Sequence, residues 1–228
     1  MRSLNDVLKK SGSIIYNEMV HVALTSAIGS AVLAFLVLYL PFYYALLLLP
    51  LLYMPLVYGA LYAYHRKTLG EKLLARNVFV GAAKGFFPAA VFGYLMALLL
   101  FILISTWWYY HEQDSLLYLV VALFQTYFAV AVLISQFYTL QLVLQENMGI
   151  FRAMGTSVKL FFRHPGYTTG AFFQAAVVLA ALLVTVVGFG LLYVGSFAIF
   201  QHEAAYNVLH PEEKKDEEED SAERQGKS

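Results

Sequence analysis

All fifteen lysine and arginine residues of this chain fall on one side of a membrane when its apolar stretches are threaded through it. That pattern points to a polytopic helical membrane protein, because Lys and Arg collect in cytoplasmic segments and set the orientation of the spans. The composition agrees. Hydrophobic residues make up 60% of the chain and charged residues 13%, where a soluble domain carries about a quarter charged. The formal net charge of zero hides an asymmetry: eight of the fifteen acids sit in the last seventeen residues, so the body without that tail is basic. There is no cysteine, hence no disulfide framework, thiol nucleophile or cysteine metal site. The start of the chain has no short apolar core followed by a small-residue cleavage site. No cleavable signal peptide is predicted, and the first span is expected to act as the insertion signal.

Stretches without Lys, Arg, Asp or Glu define the spans, since such a charge at mid-bilayer costs roughly 2.5 to 3.5 kcal/mol. The 46 residues from Met19 to Tyr64 would reach about 69 Å as helix, enough for two crossings, with Leu40-Pro41-Phe42 as the turn. A third span lies within Gly85 to Tyr110, closed by the aromatic belt Trp107, Trp108, Tyr109 and Tyr110. Ser115 to Gln145 is too short for two crossings and is expected to be one long, protruding helix. Pro165 to His202 can form one very long helix or two short ones separated at Gly188-Phe189-Gly190. Two are preferred, because one would place the acidic tail and its four basic residues outside.

The expected fold is therefore all-α: a transmembrane helical bundle of six spans, arranged as three hairpins, each preceded by a short amphipathic helix on the inner face. Residues 1–18 form a cytoplasmic amphipathic segment, and 19–209 a single transmembrane domain with spans at about 19–40, 42–64, 87–107, 116–144, 168–187 and 191–208. Residues 210–228 form a charged, disordered cytoplasmic tail. A faint internal repeat matches this threading: Lys84-Gly-Phe86-Phe87-Pro88 precedes the third span, Lys159-Leu-Phe161-Phe162-Arg-His-Pro165 the fifth, and Lys10-Ser-Gly-Ser-Ile14-Ile15-Tyr16-Asn17 the first. The same residue types gather at any inner interface, so a simple interfacial origin for the pattern stays open.

The segment MPLVYGALYAYHRKTLGEKLLARNVFVGAAKGFFPAAVFGYL resembles the conserved region of the YesL-like family of small bacterial membrane proteins. The later IFRAMGTSVKLFFRHPGYTTGAFF is similar to that family's second cytoplasmic opening to a span, and together the two cover roughly half the chain. The resemblance implies a bacterial plasma-membrane protein of undefined activity, from a family often associated with carbohydrate uptake systems. It brings no catalytic residue with it.

Candidate chemistry is sparse. His111-Glu112-Gln113-Asp114 gathers potential metal ligands, but adjacent residues do not converge on one ion unaided, so a solvated turn is the expectation. Gln201-His202-Glu203 reads either as a buried proton relay or, preferably, as the inner end of the last helix. His21 is expected at the interface, and His164-Pro165 at a helix boundary. Gln125 and Gln136, eleven residues apart, share one face of the fourth helix and with Gln174 form either a polar path or helix-packing contacts, with packing preferred. Arg66, Lys67, Lys84, Lys159 and Arg163 are the candidate contacts to anionic lipid on the inner leaflet. No nucleotide-binding loop, zinc-protease helix or serine elbow is present, so neither an enzyme nor a cofactor is expected, and no nucleic-acid partner.

Two functions follow. The first is a non-enzymatic accessory or scaffold protein of a membrane transport or envelope system in the plasma membrane, with both termini cytoplasmic. Its partners would be anionic inner-leaflet lipids and a membrane-protein partner or a second copy of itself. The second is a small transporter or channel with a neutral polar path, ranked lower because no span shows a charge at its centre.

Overall fold

The computed structural model describes residues 3–113 and 115–210, apart from the side chains of residues 42, 43 and 113. Among these residues it is helical, with no strand, and a short helix precedes each of three pairs of long ones, with a further short helix, α7, after the second pair. α1 spans Leu4–Asn17, α2 Met19–Tyr39, α3 Phe42–Thr68, α4 Ala75–Lys84, α5 Phe86–Gln113 and α6 Leu116–Ser135. α7 spans Thr139–Gln145, α8 Ile150–Arg163, α9 Pro165–Val184 and α10 Val186–Leu209.

Five stretches are long and apolar enough to cross a membrane: Met19–Tyr39, Tyr44–Thr68, Phe86–Glu112, Leu116–Gln145 and Pro165–Val184. Their outward faces are apolar. Leu116 and Tyr127 on α6, Val184 on α9 and Val186 on α10 each leave three-quarters or more of their surface uncovered. Exposed apolar area on that scale is unstable in water and suits hydrocarbon, so the chain is a membrane-embedded protein. α10 falls outside the five, because Gln201, His202 and Glu203 interrupt its second half. It is instead the best buried of the long helices, covered from Val194 through Ala205 apart from Phe197, and it packs against α1, α2, α3, α7 and α9.

Local sequence explains the boundaries. Ser3 caps α1, its Oγ accepting from the Asp6 backbone N–H at 3.3 Å, and satisfies a donor that the first turn would leave unpaired. Between α2 and α3 the chain turns through extended Leu40 and Pro41, where the turn was expected. α3 ends at Thr68, and Gly70 just beyond it, at φ 92°, supplies the left-handed stop that glycine adopts without strain. Pro50 and Pro55 lie inside α3, each removing a backbone donor, and the span nevertheless continues. At Pro50 the small Gly93 lets α5 approach: a Cβ there would sit 2.7 Å from Met54 Cγ and 3.1 Å from Pro50 Cβ.

Two expected boundaries are corrected. Residues 116–144 are not one continuous helix, because α6 stops at Ser135 and α7 starts at Thr139 after a turn through Gln136, Phe137 and Tyr138. The freed backbone groups find side chains: Ser157 on α8 donates to the Ser135 carbonyl at 2.6 Å and accepts from the Tyr138 N–H at 3.2 Å. Gln201 on α10 donates to the Phe137 carbonyl at 2.5 Å. Irregular backbone is tolerated at membrane depth only where such partners exist, and those partners lie far away in sequence. The last turn also sits elsewhere than expected. Thr185, at φ −106° and ψ 96°, separates α9 from α10, while Gly188 and Gly190 lie within α10. The Thr185 hydroxyl bonds the Leu182 carbonyl at 3.2 Å and so competes with helix continuation at that point.

Replacing Gln201 by leucine tests the closure of the break. The substitution leaves the Phe137 carbonyl unpaired, at about 1–2 kcal/mol, but also removes Gln201 Oε1, a buried acceptor that has no partner. The two effects oppose each other, so the expected loss is about 1 kcal/mol, read as a small drop in thermal stability in micelles.

Candidate functional site: a polar cluster at the basic end of the bundle

Several side-chain contacts between elements distant in sequence gather around Glu203. α1 brings Lys10, the last turns of α3 bring Tyr64 and His65, α10 brings His202, Glu203 and Asn207, and the first turn of α9 brings Tyr167. Lys10 Nζ lies 2.7 Å from one oxygen of Glu203, and the Tyr64 hydroxyl donates to the other at 3.1 Å. His65 Nδ1 and His202 Nε2 are 3.2 Å apart, so one ring donates and the other accepts. Asn207 donates to the Tyr167 hydroxyl at 3.0 Å. Glu203 is 5% exposed although it sits six residues, about 9 Å, before the end of α10. A carboxylate so buried needs a cation and hydrogen bonds, and Lys10 and Tyr64 supply both.

A second network surrounds the first. Lys67 Nζ contacts Glu18 at 2.8 Å, and His21 Nδ1 contacts the same carboxylate at 3.1 Å, tying the α1–α2 junction to the end of α3. The hydrogen bond from Lys67 is the largest cause holding the Glu18 carboxyl below its ordinary value of 4.5; burial opposes it, and the charges of Lys67 and His21 add to it. A depressed carboxylate pKa adds stability that is complete above the unfolded-state value and is lost as pH falls through the folded-state value. Stability is thus expected to decline below pH 4.5, and Glu18→Gln to flatten that decline in a pH series of melting curves. The amplitude is at most about 1 kcal/mol for a partly exposed pair.

The arrangement joins α1, α3, α9 and α10. The cavity beside Tyr64, lined also by Ala198 and Ile199, holds about 10 Å³, room for one water at most. Among the described residues no three His, Asp or Glu side chains group as metal ligands; His111, Glu112 and Gln113 continue α5 instead of forming the expected turn, and Asp114 lies outside those residues. The charged tail after residue 210 lies outside them as well.

The residues singled out from sequence are dispersed. Gln136 is buried at the α6–α7 break, and its Oε1 accepts from the Thr139 hydroxyl at 2.7 Å. Gln125 is half-buried on α6, and Gln174 is half-buried on α9, some distance along the chain from the cluster. Gln136 caps the C-terminus of α6, its N–H bonded to the Val132 carbonyl at 2.9 Å, so it closes the last turn of the helix that carries Gln125. Arg66 is engaged by Glu71 through two nitrogens, its Nε donating at 2.9 Å. Lys67 is engaged by Glu18, while Lys84 Nζ reaches the Tyr62 hydroxyl at 3.0 Å and lies over that ring. Lys159 and Arg163 stand exposed on α8 beside exposed Phe162, with no ion pair among the described residues. They are the two of the five best placed to meet a headgroup.

The expectation that α10 ends at Gln201-His202-Glu203 is corrected in one respect: the helix continues to Leu209, and all three residues are buried within the protein. Sequence alone places Lys10 in the segment before the first span and Tyr64 at the end of an apolar run but gives neither a partner, and His65 and Ser157 escape it altogether. The available signal was the lone acid in α10, which requires a cation from another element.

Comparison with known protein families, with curated proteins and with solved structures finds no match for this chain.

Proposed function

We propose that this chain is a non-enzymatic accessory or scaffold protein of the plasma membrane, crossing the bilayer six times as three hairpins with both termini and all basic segments in the cytoplasm. The observation that carries this reading is the use made of its interior polar groups. Gln136, Gln201, Ser157, Tyr64 and Glu203 are spent on joining helices to one another. α8 meanwhile presents Arg152, Lys159, Arg163, Phe151 and Phe162 outward, as an interfacial helix on an anionic inner leaflet would. α1, α4 and α8 each precede a packed pair of long helices, which supports the threefold arrangement. Six crossings require α10 to span with Glu203 paired near the inner surface, where a neutralised charge is tolerated. The resemblance to the YesL-like family accords with a role beside an uptake system.

Transport is the second reading, favoured by the broken α6–α7 element and the buried carboxylate of Glu203, both frequent at coupling sites. Mild-detergent purification of tagged protein from its own membranes distinguishes the two. The accessory reading expects a stoichiometric partner that is lost when Arg152, Lys159 and Arg163 are changed to glutamine. A homogeneous species without a protein partner, together with solute uptake abolished by Gln136→Leu in folded protein, would overturn it.

A further inference from the structure

A cavity of about 190 Å³ lies between α1, α9 and α10. Leu8, Ile15, Val178, Phe197 and Phe200 form most of its wall. Four residues with polar side-chain atoms also line it: Ser11 of α1, only 1% exposed, Gln174 of α9, and Tyr193 and Ser196 of α10. Ser11 Oγ and Gln174 Oε1 are both buried and both lack a hydrogen-bond partner. Buried polar atoms are nearly always paired, so two orphans in one apolar cavity point to a group that enters it. The space is far above the roughly 10–15 Å³ that one water occupies.

We infer that this cavity binds a long-chain alcohol, an apolar chain ending in one neutral hydroxyl. The chemistry of the two orphans selects the head. Gln174 Oε1 can only accept, so the ligand must donate, and the Ser11 hydroxyl can donate, so the ligand has an acceptor to offer. A single hydroxyl does both at once. A carboxylate or phosphate offers acceptors alone, leaving Gln174 Oε1 unpaired and placing a charge in an apolar wall. An ammonium could donate to both atoms, but no acid lines the cavity to balance its charge. A plain hydrocarbon fills the volume and leaves both orphans as they are. The site lies apart from the Lys10–Glu203 cluster and does not depend on the accessory reading.

The test uses the full-length protein in lipid nanodiscs and a diazirine-bearing dodecan-1-ol as probe. Crosslinks are expected in residues 4–17 and 165–184, competed by dodecan-1-ol at concentrations at least about tenfold below those at which dodecanoate or dodecane competes. Gln174→Leu and Ser11→Ala are each expected to weaken labelling by about tenfold. Both variants should stay folded, because neither residue's orphan atom supports a neighbour. Gly12→Leu provides an independent variant: its Cβ would meet nothing within 4 Å, so the side chain can fill the space and block labelling. Equal competition by dodecane or dodecanoate would overturn the inference in favour of a nonspecific acyl crevice. Labelling unchanged in Ser11→Ala and Gln174→Leu would overturn it by showing that neither polar atom holds the hydroxyl of the probe.

Discussion

Gly59→Val is expected to abolish the stable bundle, or to lower its thermal midpoint in micelles by at least about 6–12 °C. Gly59 faces α4 from within α3, and a Cβ there would fall on the Val78 carbonyl oxygen and 3.0 Å from the Ala82 backbone nitrogen. Both obstacles are main chain, so no side chain can swing aside and the two helices must separate. Overpacking a core ordinarily costs about 1–3 kcal/mol, and a rigid obstacle puts this site at or above the upper end. One kcal/mol corresponds to roughly 2–4 °C for a chain of this size. Gly155 on α8 is the control. Nothing lies within 4 Å of a Cβ there, so Gly155→Ala should be neutral or stabilise by roughly 0.5–1 kcal/mol through helix propensity. Equal behaviour of the two variants would show that α4 does not pack on α3.

Lys10→Met is expected to cost about 2–3 kcal/mol, because it leaves the Glu203 carboxylate with Tyr64 and no cation. Losing one partner of a fully buried pair costs about 3–5 kcal/mol, and the half-exposed Lys10 side chain reduces that figure. The double variant Lys10→Met, Glu203→Gln is expected to recover most of the loss, since the amide oxygen still accepts from Tyr64 and carries no charge to strand. If both variants melted together, well below the parent, the damage would come from the packing of α1 rather than from the stranded charge.

How much of this was legible beforehand follows from the range of each interaction. Apolar run length reports directly on burial in hydrocarbon, so the start of α2 at Met19, the turn at Leu40-Pro41 and the boundary at His164-Pro165 could be read from the chain. Amphipathic α1, α4 and α8 could be read for the same reason. The α6–α7 break could not. Gln136, Phe137 and Tyr138 contain no proline or glycine, and the turn depends on Ser157 and Gln201, 22 and 64 residues away in the bonds they make. The polar cluster was half legible. Glu203 stood out as an acid amid apolar sequence, yet its partners Lys10 and Tyr64 lie on α1 and α3, and no local pattern pairs them. Gly188 and Gly190 misled because glycine is common inside membrane helices as well as in turns.

The account rests on the basic end of the bundle facing the cytoplasm, and the chain has no cysteine, so single cysteines can report on it without background. Leu40→Cys, Ser115→Cys and Thr185→Cys lie at the junctions between paired helices; Lys72→Cys, Met148→Cys and His210→Cys lie at the basic end. In intact cells, a membrane-impermeant maleimide is predicted to label the first three and to reach the other three only after permeabilisation. Labelling of Lys72→Cys or His210→Cys in intact cells would contradict the account, the first by reversing the bundle and the second by removing the sixth crossing.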